Sequence, residues 1–327
     1  MLKAAITAVG GYVPDTVLSN QDLEKTVDTN DEWIRSRTGI KERRILKDPK
    51  KATSFLAIQA ANDLISKKDL DPTTIDLVLV ATITPDMHVA ATAAYVASSI
   101  GATNAFAYDL NAACSGFLYG MSAAAAYISS GRYKKVLLIG ADKMSSIVDY
   151  TDRTTCIIFG DGGGAVLFEP SVNQFGWEDE YFRSDGSERM SLRILSGGSL
   201  HPTTQETLDQ GSHNIHQEGK VVFKYAVSEM ANVAEQIMNR NDLGNGKIDY
   251  LLPHQANKRI IDATASRLNL SDDKVLMNID RYGNTTAATL PLLLYDYESK
   301  LKKGDKLVFT AFGGGFTWGA AHLTWAY

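Results

Sequence analysis

The sequence predicts an α/β protein built from two similar halves, and three observations carry that expectation. Helical stretches alternate with short apolar runs such as VLLIGA (136–141) and LVFTAF (307–312), whose unbroken hydrophobicity marks strands covered on both faces. The order helix, Asp-Leu, Ile-Asp, apolar strand occurs twice, with Ile75-Asp76 five residues after Leu70 and Ile248-Asp249 five residues after Leu243. The order helix, basic glycine turn, apolar strand also occurs twice, in 115–142 and 287–315.

Taken in order, MLKAAITAVGGYVP reads as a first strand and turn. SFLAIQAANDLI (54–65) has helical periodicity and leads into the strand of DLDPTTIDLVLVAT (69–82). SGFLYGMSAAAAYISSGRYKKVLLIGAD supplies the next helix, turn and strand. The run TTCIIFG around Cys156 reads as strand-like, and GDGGGAVLFEP (160–170) as a strand or hairpin return. AVSEMANVAEQIMNR (226–240) opens the second set, followed by DLGNGKIDYLLPHQ (242–255) and AATLPLLLYDYESKLKKGDKLVFTAFGGG (287–315). The duplication divides the chain into halves at 1–170 and 171–327. Two such halves facing each other across a pseudo-twofold place a site between them, fed by loops at the strand ends.

Composition narrows the function classes. The chain has 327 residues, 44% hydrophobic and 22% charged, with a net charge of −5, which gives no bulk attraction to nucleic acid or an anionic membrane. The N-terminal apolar run is too short and interrupted for a signal peptide, and no apolar stretch reaches the ~18 residues of a membrane span. Two cysteines, Cys114 and Cys156, make no disulfide scaffold, and no CxxC or HExxH pattern suggests a metal. A reduced, cytoplasmic protein is expected, in which a special cysteine is catalytic rather than bridged.

Cys114 stands in DLNAACSGFLY where an apolar stretch gives way to a helix. A small buried side chain would pack there. A helix N-terminus and a neighbouring imidazole would instead lower the thiol's pKa and make a nucleophile, and the small flanks Ala112, Ala113 and Gly116 would let a substrate approach. Cys156, inside its apolar run, reads as packing. Of the six histidines, His88, His201, His213, His216 and His322 have no supporting context, whereas His254 in PHQAN follows directly on a buried strand. GNTTAAT (283–289) takes the place in the second unit that Cys114 takes in the first, so Cys114, His254 and Asn284 fall on loops that the duplication brings to one face. GDGGGA formally fits the dinucleotide fingerprint, but a strand rather than a helix follows it, so no pyrophosphate site is expected. In FGGGFTWG (312–319) a bare backbone suits either a tight turn or an oxyanion hole.

Together, DLNAACSGF, PHQANKRI, RYGNTTAATLP and FGGGFTWGAA, with DTNDEWIRSRTGIKERRI and DRTTCIIFGDGGGAVLFE, resemble the thiolase-fold condensing enzymes, and most closely the β-ketoacyl-[acyl-carrier-protein] synthase III family. The resemblance covers essentially the whole chain. It implies a five-layer α-β-α-β-α arrangement, a homodimer, and a ping-pong reaction that needs no cofactor. In that reaction Cys114 takes an acyl group from acyl-CoA, typically acetyl-CoA, and malonyl-acyl carrier protein then loses CO2. His254 and Asn284 would hold the enolate oxygen, and the N–H groups of Cys114 and Gly314 the later oxyanion. A glutamate in place of Asn284 would suit proton abstraction, so Asn284 points to decarboxylative condensation. The resemblance also places Thr29, Trp33, Arg37, Arg153 and Asn257 along the CoA tunnel, and Lys224, Arg259 and Arg267 on the carrier-protein face. Phe312 and Val89 would bound the acyl pocket, with Val89 closing the partner's pocket where better-known members have phenylalanine. A smaller residue there would admit a longer or branched primer, as in relatives that act in secondary metabolism. The polar stretch 197–220 is longer than usual in the family and is expected to form a surface flap beside the tunnel.

Overall fold

The computed structural model describes residues 2–244 and 247–327; Asn245 and Gly246, inside the second Asp-Leu to Ile-Asp spacing, lie outside the described residues. The first half opens with β1 (Ala4–Tyr12), β2 (Val17–Ser19), α1 (Asn20–Leu23), α2 (Asp31–Thr38) and β3 (Glu42–Arg44). It continues through α3 (Thr53–Lys68), β4 (Leu77–Ala81), α4 (Thr92–Ser99), β5 (Phe106–Leu110), α5 (Gly116–Ser129), β6 (Val136–Asp142) and β7 (Gly162–Pro170). The second half holds β8 (Trp177–Ser184), β9 (Leu192–Ile194), α6 (Gln205–Asp209), β10 (Ile215–Gln217), α7 (Gly219–Arg240), β11 (Tyr250–Pro253) and α8 (Lys258–Arg267). It closes with α9 (Ile279–Tyr282), α10 (Thr289–Tyr297), β12 (Lys306–Gly313) and β13 (Thr317–Thr324).

One sheet has the order β1-β7-β6-β4-β5 and the other β11-β12-β13-β8. Every residue of β4 and β6 is buried, as expected of strands covered by helices on both faces. Helices α3 and α4 cover the outer face of the first sheet, burying Leu56, Ala60, Leu64 and Val96 against Val78, Val80 and Ile139. Helix α7 covers the second sheet through Val233, Ala234 and Ile237 against Leu251 and Val308. Between the sheets lie α5 and α10, whose Phe117, Met121, Leu290 and Leu293 join one core with Leu79, Leu138, Leu252 and Phe309. The layers are therefore α-β-α-β-α, and the central layer takes one helix from each half.

The repeated sequence has a repeated hydrogen-bond cause. Asp76 Oδ2 accepts from the N–H groups of Lys134 and Lys135, and Asp249 Oδ2 accepts from Lys306. Each carboxylate ties the start of its strand to the next, so Leu77 faces Val136 and Tyr250 faces Leu307. Gly140 is needed because a Cβ there would stand 2.3 Å from the Ala287 carbonyl oxygen, where the second half's turn before α10 lies on β6.

One expectation fails. The segment around Cys156 is a series of turns, not a strand. Asp152 draws it round: its carboxylate accepts from the Thr154 N–H at 2.9 Å, and its carbonyl accepts from the Cys156 N–H at 3.0 Å. These local bonds outcompete the β preference of the apolar run. Cys156 is nonetheless buried, among Ile34, Ile40 and Met144.

Candidate active site

Cys114 lies in a single 3₁₀ turn, Ala113–Ser115, that runs into α5. Ala113 has φ 47°, held where its N–H donates to Asn111 Oδ1 at 3.2 Å. The β12–β13 hairpin stitches the turn in place: Thr317 Oγ1 donates to the Ala112 carbonyl at 2.8 Å, and Ser115 Oγ donates to the Thr317 carbonyl at 3.0 Å. Gly313 packs so closely that a Cβ on it would lie 2.7 Å from the Cys114 nitrogen. The glycine run thus makes both the tight turn and the bare wall against the nucleophile.

Burial pushes the Cys114 thiol up to about 12, with the negative charge of Asp142 adding to the rise and the cysteine's own N–H opposing it. Removal from water therefore outweighs the helix start that was expected to acidify the thiol. His254 follows β11, and its N–H donates to the Thr310 carbonyl at 2.8 Å. The ring is 1% exposed, and burial pushes it down to about 3, so it is a neutral imidazole. Its Nδ1 bonds Thr289 Oγ1 at 2.7 Å, while Nε2 is buried without a protein partner. If the threonine hydroxyl donates to Nδ1, the ring proton sits on Nε2 and that atom becomes a donor into the cavity.

Asn284 is set by backbone on both sides. Its N–H donates to the Ile158 carbonyl at 2.9 Å and its carbonyl accepts from Gly160 at 3.1 Å. Asn284 Oδ1 accepts from the Thr286 N–H at 2.9 Å, so the carboxamide turns its NH2 away from that bond. Cys114, His254 and Asn284 all line one cavity of about 1040 Å³, together with Gly313 and Gly314.

The same cavity takes Trp33, Arg37, Arg153, Asn257, Arg259 and Phe312 into its wall. The Arg153 guanidinium stands 5.7 Å from the centre of the half-exposed Trp33 ring and donates to the Asp28 carbonyl. Asn257 caps α8 by accepting from the Arg259 N–H, which leaves its NH2 for a ligand. Thr29 is not part of the wall, and its hydroxyl is buried without a partner. Lys224 and Arg267 also lie outside it, Arg267 paired with Glu235 at 3.0 Å. Val89 bounds no part of its own chain's cavity: it is fully exposed, with φ 77°. The 197–220 stretch carries α6 and β10, and β10 pairs with β9 just before it; Ile215, Gln217 and Lys220 of the stretch line the cavity, beside Leu192, Arg193 and Ile194 of β9. Thr289, Asp142 and Arg193 escaped the reading of the sequence. Among the described residues no cluster of His, Cys, Asp or Glu could hold a metal ion, and no helix is long and apolar enough to cross a membrane.

Decarboxylative carbon–carbon bond formation asks for a nucleophile that can carry an acyl group and for neutral donors facing a developing enolate. Here a thiol from one half and an imidazole and carboxamide from the other meet across a duplicated five-layer core, which defines the class of thiolase-fold condensing enzymes. Comparisons with known proteins narrow that class. Residues 108–186 match the family model for 3-oxoacyl-[acyl-carrier-protein] synthase III, and residues 238–325 match the model for its C-terminal part. β-Ketoacyl-[acyl-carrier-protein] synthase III 2 of Bacteroides thetaiotaomicron is 53% identical over 326 residues, covering 100% of this chain and 97% of that one. The synthase III of Chlorobaculum tepidum is 54% identical over 328 residues, with 99% and 100% covered. The crystal structure of 3-oxoacyl-[acyl-carrier-protein] synthase III from Aquifex aeolicus superposes with a TM-score of 0.90 at 40% identity, over 98% of this chain and 100% of that one. The chain belongs to the β-ketoacyl-[acyl-carrier-protein] synthase III family.

Proposed function

We propose that this protein joins a short acyl-CoA, acetyl-CoA in the first instance, to malonyl-acyl carrier protein, giving 3-oxoacyl-carrier protein, CoA and CO2 and so initiating fatty acid synthesis. The observation that carries this reading is the convergence of one thiol, one buried imidazole and one carboxamide on a single cavity. Cys114 attacks the thioester carbonyl, CoA leaves as its thiol, and the acyl group stays on sulfur. Loss of CO2 from the malonyl group places charge on its thioester oxygen, where His254 Nε2–H and the Asn284 NH2 donate. The carbanion then attacks the acyl-cysteine, the N–H groups of Cys114 and Gly314 hold the resulting oxyanion, and its collapse breaks the bond to sulfur, releasing the 3-oxoacyl-carrier protein and a Cys114 thiolate that takes up a proton from solvent. No cofactor is required, because the thioester and the departing CO2 supply the driving force.

Trp33, Arg37, Arg153, Asn257 and Thr29 are assigned to the CoA moiety, an indole and a guanidinium being suited to stack on a base. Lys224, Arg259 and Arg267 are assigned to the acidic carrier protein, which a local basic patch on a chain of net charge −5 would steer and orient. The protein is read as a cytoplasmic homodimer. β5 is the open edge of its sheet and bears the half-exposed Phe106, with Met87, Val89 and Tyr95 exposed nearby. Asp109 at the end of β5 accepts from the N–H groups of Thr92 and Ala93, which ties the segment after Val89 to that edge; in a homodimer joined there, Val89 would bound the partner's acyl pocket.

The test is to offer a panel of acyl-CoAs with malonyl-carrier protein and weigh the products. Acetyl-CoA is expected to give a 3-oxobutyryl product and a transient acetyl adduct on Cys114 that is absent in Cys114→Ala. Acylation by long-chain primers alone would overturn the initiating role, and an adduct surviving Cys114→Ala would overturn the nucleophile.

A further inference from the structure

Asp142 closes β6 with a carboxyl group wholly removed from solvent, and no charged side chain bonds it. Its Oδ1 accepts from the N–H groups of Ile83 at 2.8 Å and Thr84 at 3.2 Å, and from the hydroxyls of Thr82 and Thr84. Its Oδ2 accepts from the Thr286 hydroxyl and from the Ala287 N–H at 3.1 Å. One side chain therefore fastens the loop after β4, in the first half, to the turn before α10, in the second. Thr286 is the residue whose N–H holds Asn284 Oδ1, and it adopts φ 52°, which a β-branched residue rarely takes.

The pseudo-twofold gives this arrangement a counterpart. Counting from the paired strand starts, Leu77 opposite Val136 and Tyr250 opposite Leu307, Asp142 corresponds to Gly313. The turn Thr286–Ala288 corresponds to Ala113–Ser115, so Ala287 corresponds to Cys114. In the second half the Asp142 carboxylate sits on the Ala287 N–H. At the first half's turn the counterpart residue, Gly313 of the second half, has no side chain and stands against the Cys114 nitrogen. A carboxyl group is thus built in at one copy of the turn and left out at the copy that carries the nucleophile.

We propose that Asp142 is a positioning residue for condensation: it locks Thr286, and through Thr286 it holds the Asn284 carboxamide with its NH2 toward the enolate oxygen. The inference rests on the proposed condensation reaction. An asparagine cannot replace this carboxylate, because both of its oxygens accept N–H groups and an amide would turn one NH2 against such donors.

The test separates the two half-reactions. Asp142→Asn and Thr286→Val are compared with wild type and with Thr286→Ser, which keeps the hydroxyl. Acetylation of Cys114 by acetyl-CoA is expected within about threefold of wild type for Thr286→Val, and at or above the wild-type rate for Asp142→Asn, because the charge that helps to raise the thiol is gone. Decarboxylation of malonyl-carrier protein by the acetylated enzyme falls in kcat by ~10- to 100-fold, somewhat less than the loss of a direct oxyanion donor, with KM unchanged. Thr286→Ser is expected to restore it. Should Asp142→Asn not fold, the Thr286 pair decides. Decarboxylation equal to wild type in a folded variant, or an equal fall in both half-reactions, overturns the inference. A wild-type enzyme that does not decarboxylate malonyl-carrier protein would overturn the reaction assignment instead.

Discussion

The proposed donor role of His254 depends on one hydroxyl, so Thr289→Val is the sharpest perturbation of the site. Valine keeps the shape of threonine and removes only the group that bonds His254 Nδ1 at 2.7 Å. The ring is buried with Nε2 unpartnered, so water does not simply replace the lost bond. Either the Nε2–H tautomer persists with an orphaned acceptor at Nδ1, or the proton moves to Nδ1 and Nε2 presents a lone pair to the enolate oxygen. A buried polar group left unsatisfied costs about 1–3 kcal/mol. At about 1.36 kcal/mol per factor of ten, decarboxylation should slow by roughly five- to hundred-fold. Thiol acylation, which makes no use of the Nε2 donor in this mechanism, should change little. The assay measures CO2 release from malonyl-carrier protein by acetylated enzyme, beside the intact-mass acetylation of Cys114. Thr289→Ser, which restores the hydroxyl, should recover most of the loss. Equal slowing of both half-reactions would refute the argument by showing that His254 serves the thiol, and unaltered CO2 release would refute it by showing that Thr289 sets no tautomer.

Gly313→Ala places a methyl group 2.7 Å from the Cys114 nitrogen and 3.2 Å from its Cα, so the nucleophile turn must shift. Acetylation of Cys114, read by intact mass, should fall by ~100-fold or more, on the scale of a lost oxyanion donor. With the thiol pushed up to about 12 and His254 down to about 3, no thiolate–imidazolium pair forms in the resting enzyme. Iodoacetamide should therefore alkylate Cys114 about tenfold faster per pH unit between pH 7 and 9, whereas a plateau or an inflection near pH 6–7 would reveal such a pair. His254 also links stability to pH. Its folded pKa lies below the ordinary 6.5, so an unfolded chain takes up a proton that the folded chain refuses as pH falls from 6.5 toward 3. Denaturation midpoints should drop across that window more steeply in wild type than in His254→Asn, and equal slopes would remove His254 as the cause. Trp33→Ala should raise KM for acyl-CoA several-fold, on the scale of about 0.5–1 kcal/mol for an exposed cation–π platform, leaving KM for malonyl-carrier protein unchanged; a matching rise in both would move Trp33 out of the CoA site.

What could be read from the sequence followed from local chemistry. The apolar runs of β4, β6 and β12 identified themselves, and the doubled Asp-Leu to Ile-Asp spacing marked carboxylates that the fold uses identically at Asp76 and Asp249. Cys114 before a helix and His254 after a strand were placed by the same logic. The run at Cys156 misled, because β preference is a weak prior and the Asp152 turn bonds lay in side chains the pattern ignores. The acidity of Cys114 was misjudged for a different reason: a helix start is visible in sequence, while the desolvation that overrides it belongs to the packed core. Thr289 and Asp142 were invisible as isolated residues, since their partners lie 35 and 144 positions away.

The residues that were missed also explain how duplication became catalysis. Where the first copy has Ala81 packed against Gly116, whose Cβ would lie 3.4 Å from the alanine Cβ, the second has His254 bonded to Thr289. Where the first has Asp142 on a backbone N–H of the second, the second has Gly313 bare against a backbone N–H of the first. The first exchange keeps bulk off the half that carries the thiol and gives a polar pair to the half that faces it; the second anchors the facing half's turn with Asp142 and leaves only bare Gly313 against the nucleophile turn. Neither half alone could hold an acyl thioester and an enolate at once, because each retains only one side of every such pair. The cavity draws on both halves, Cys114 from the first and His254 and Asn284 from the second.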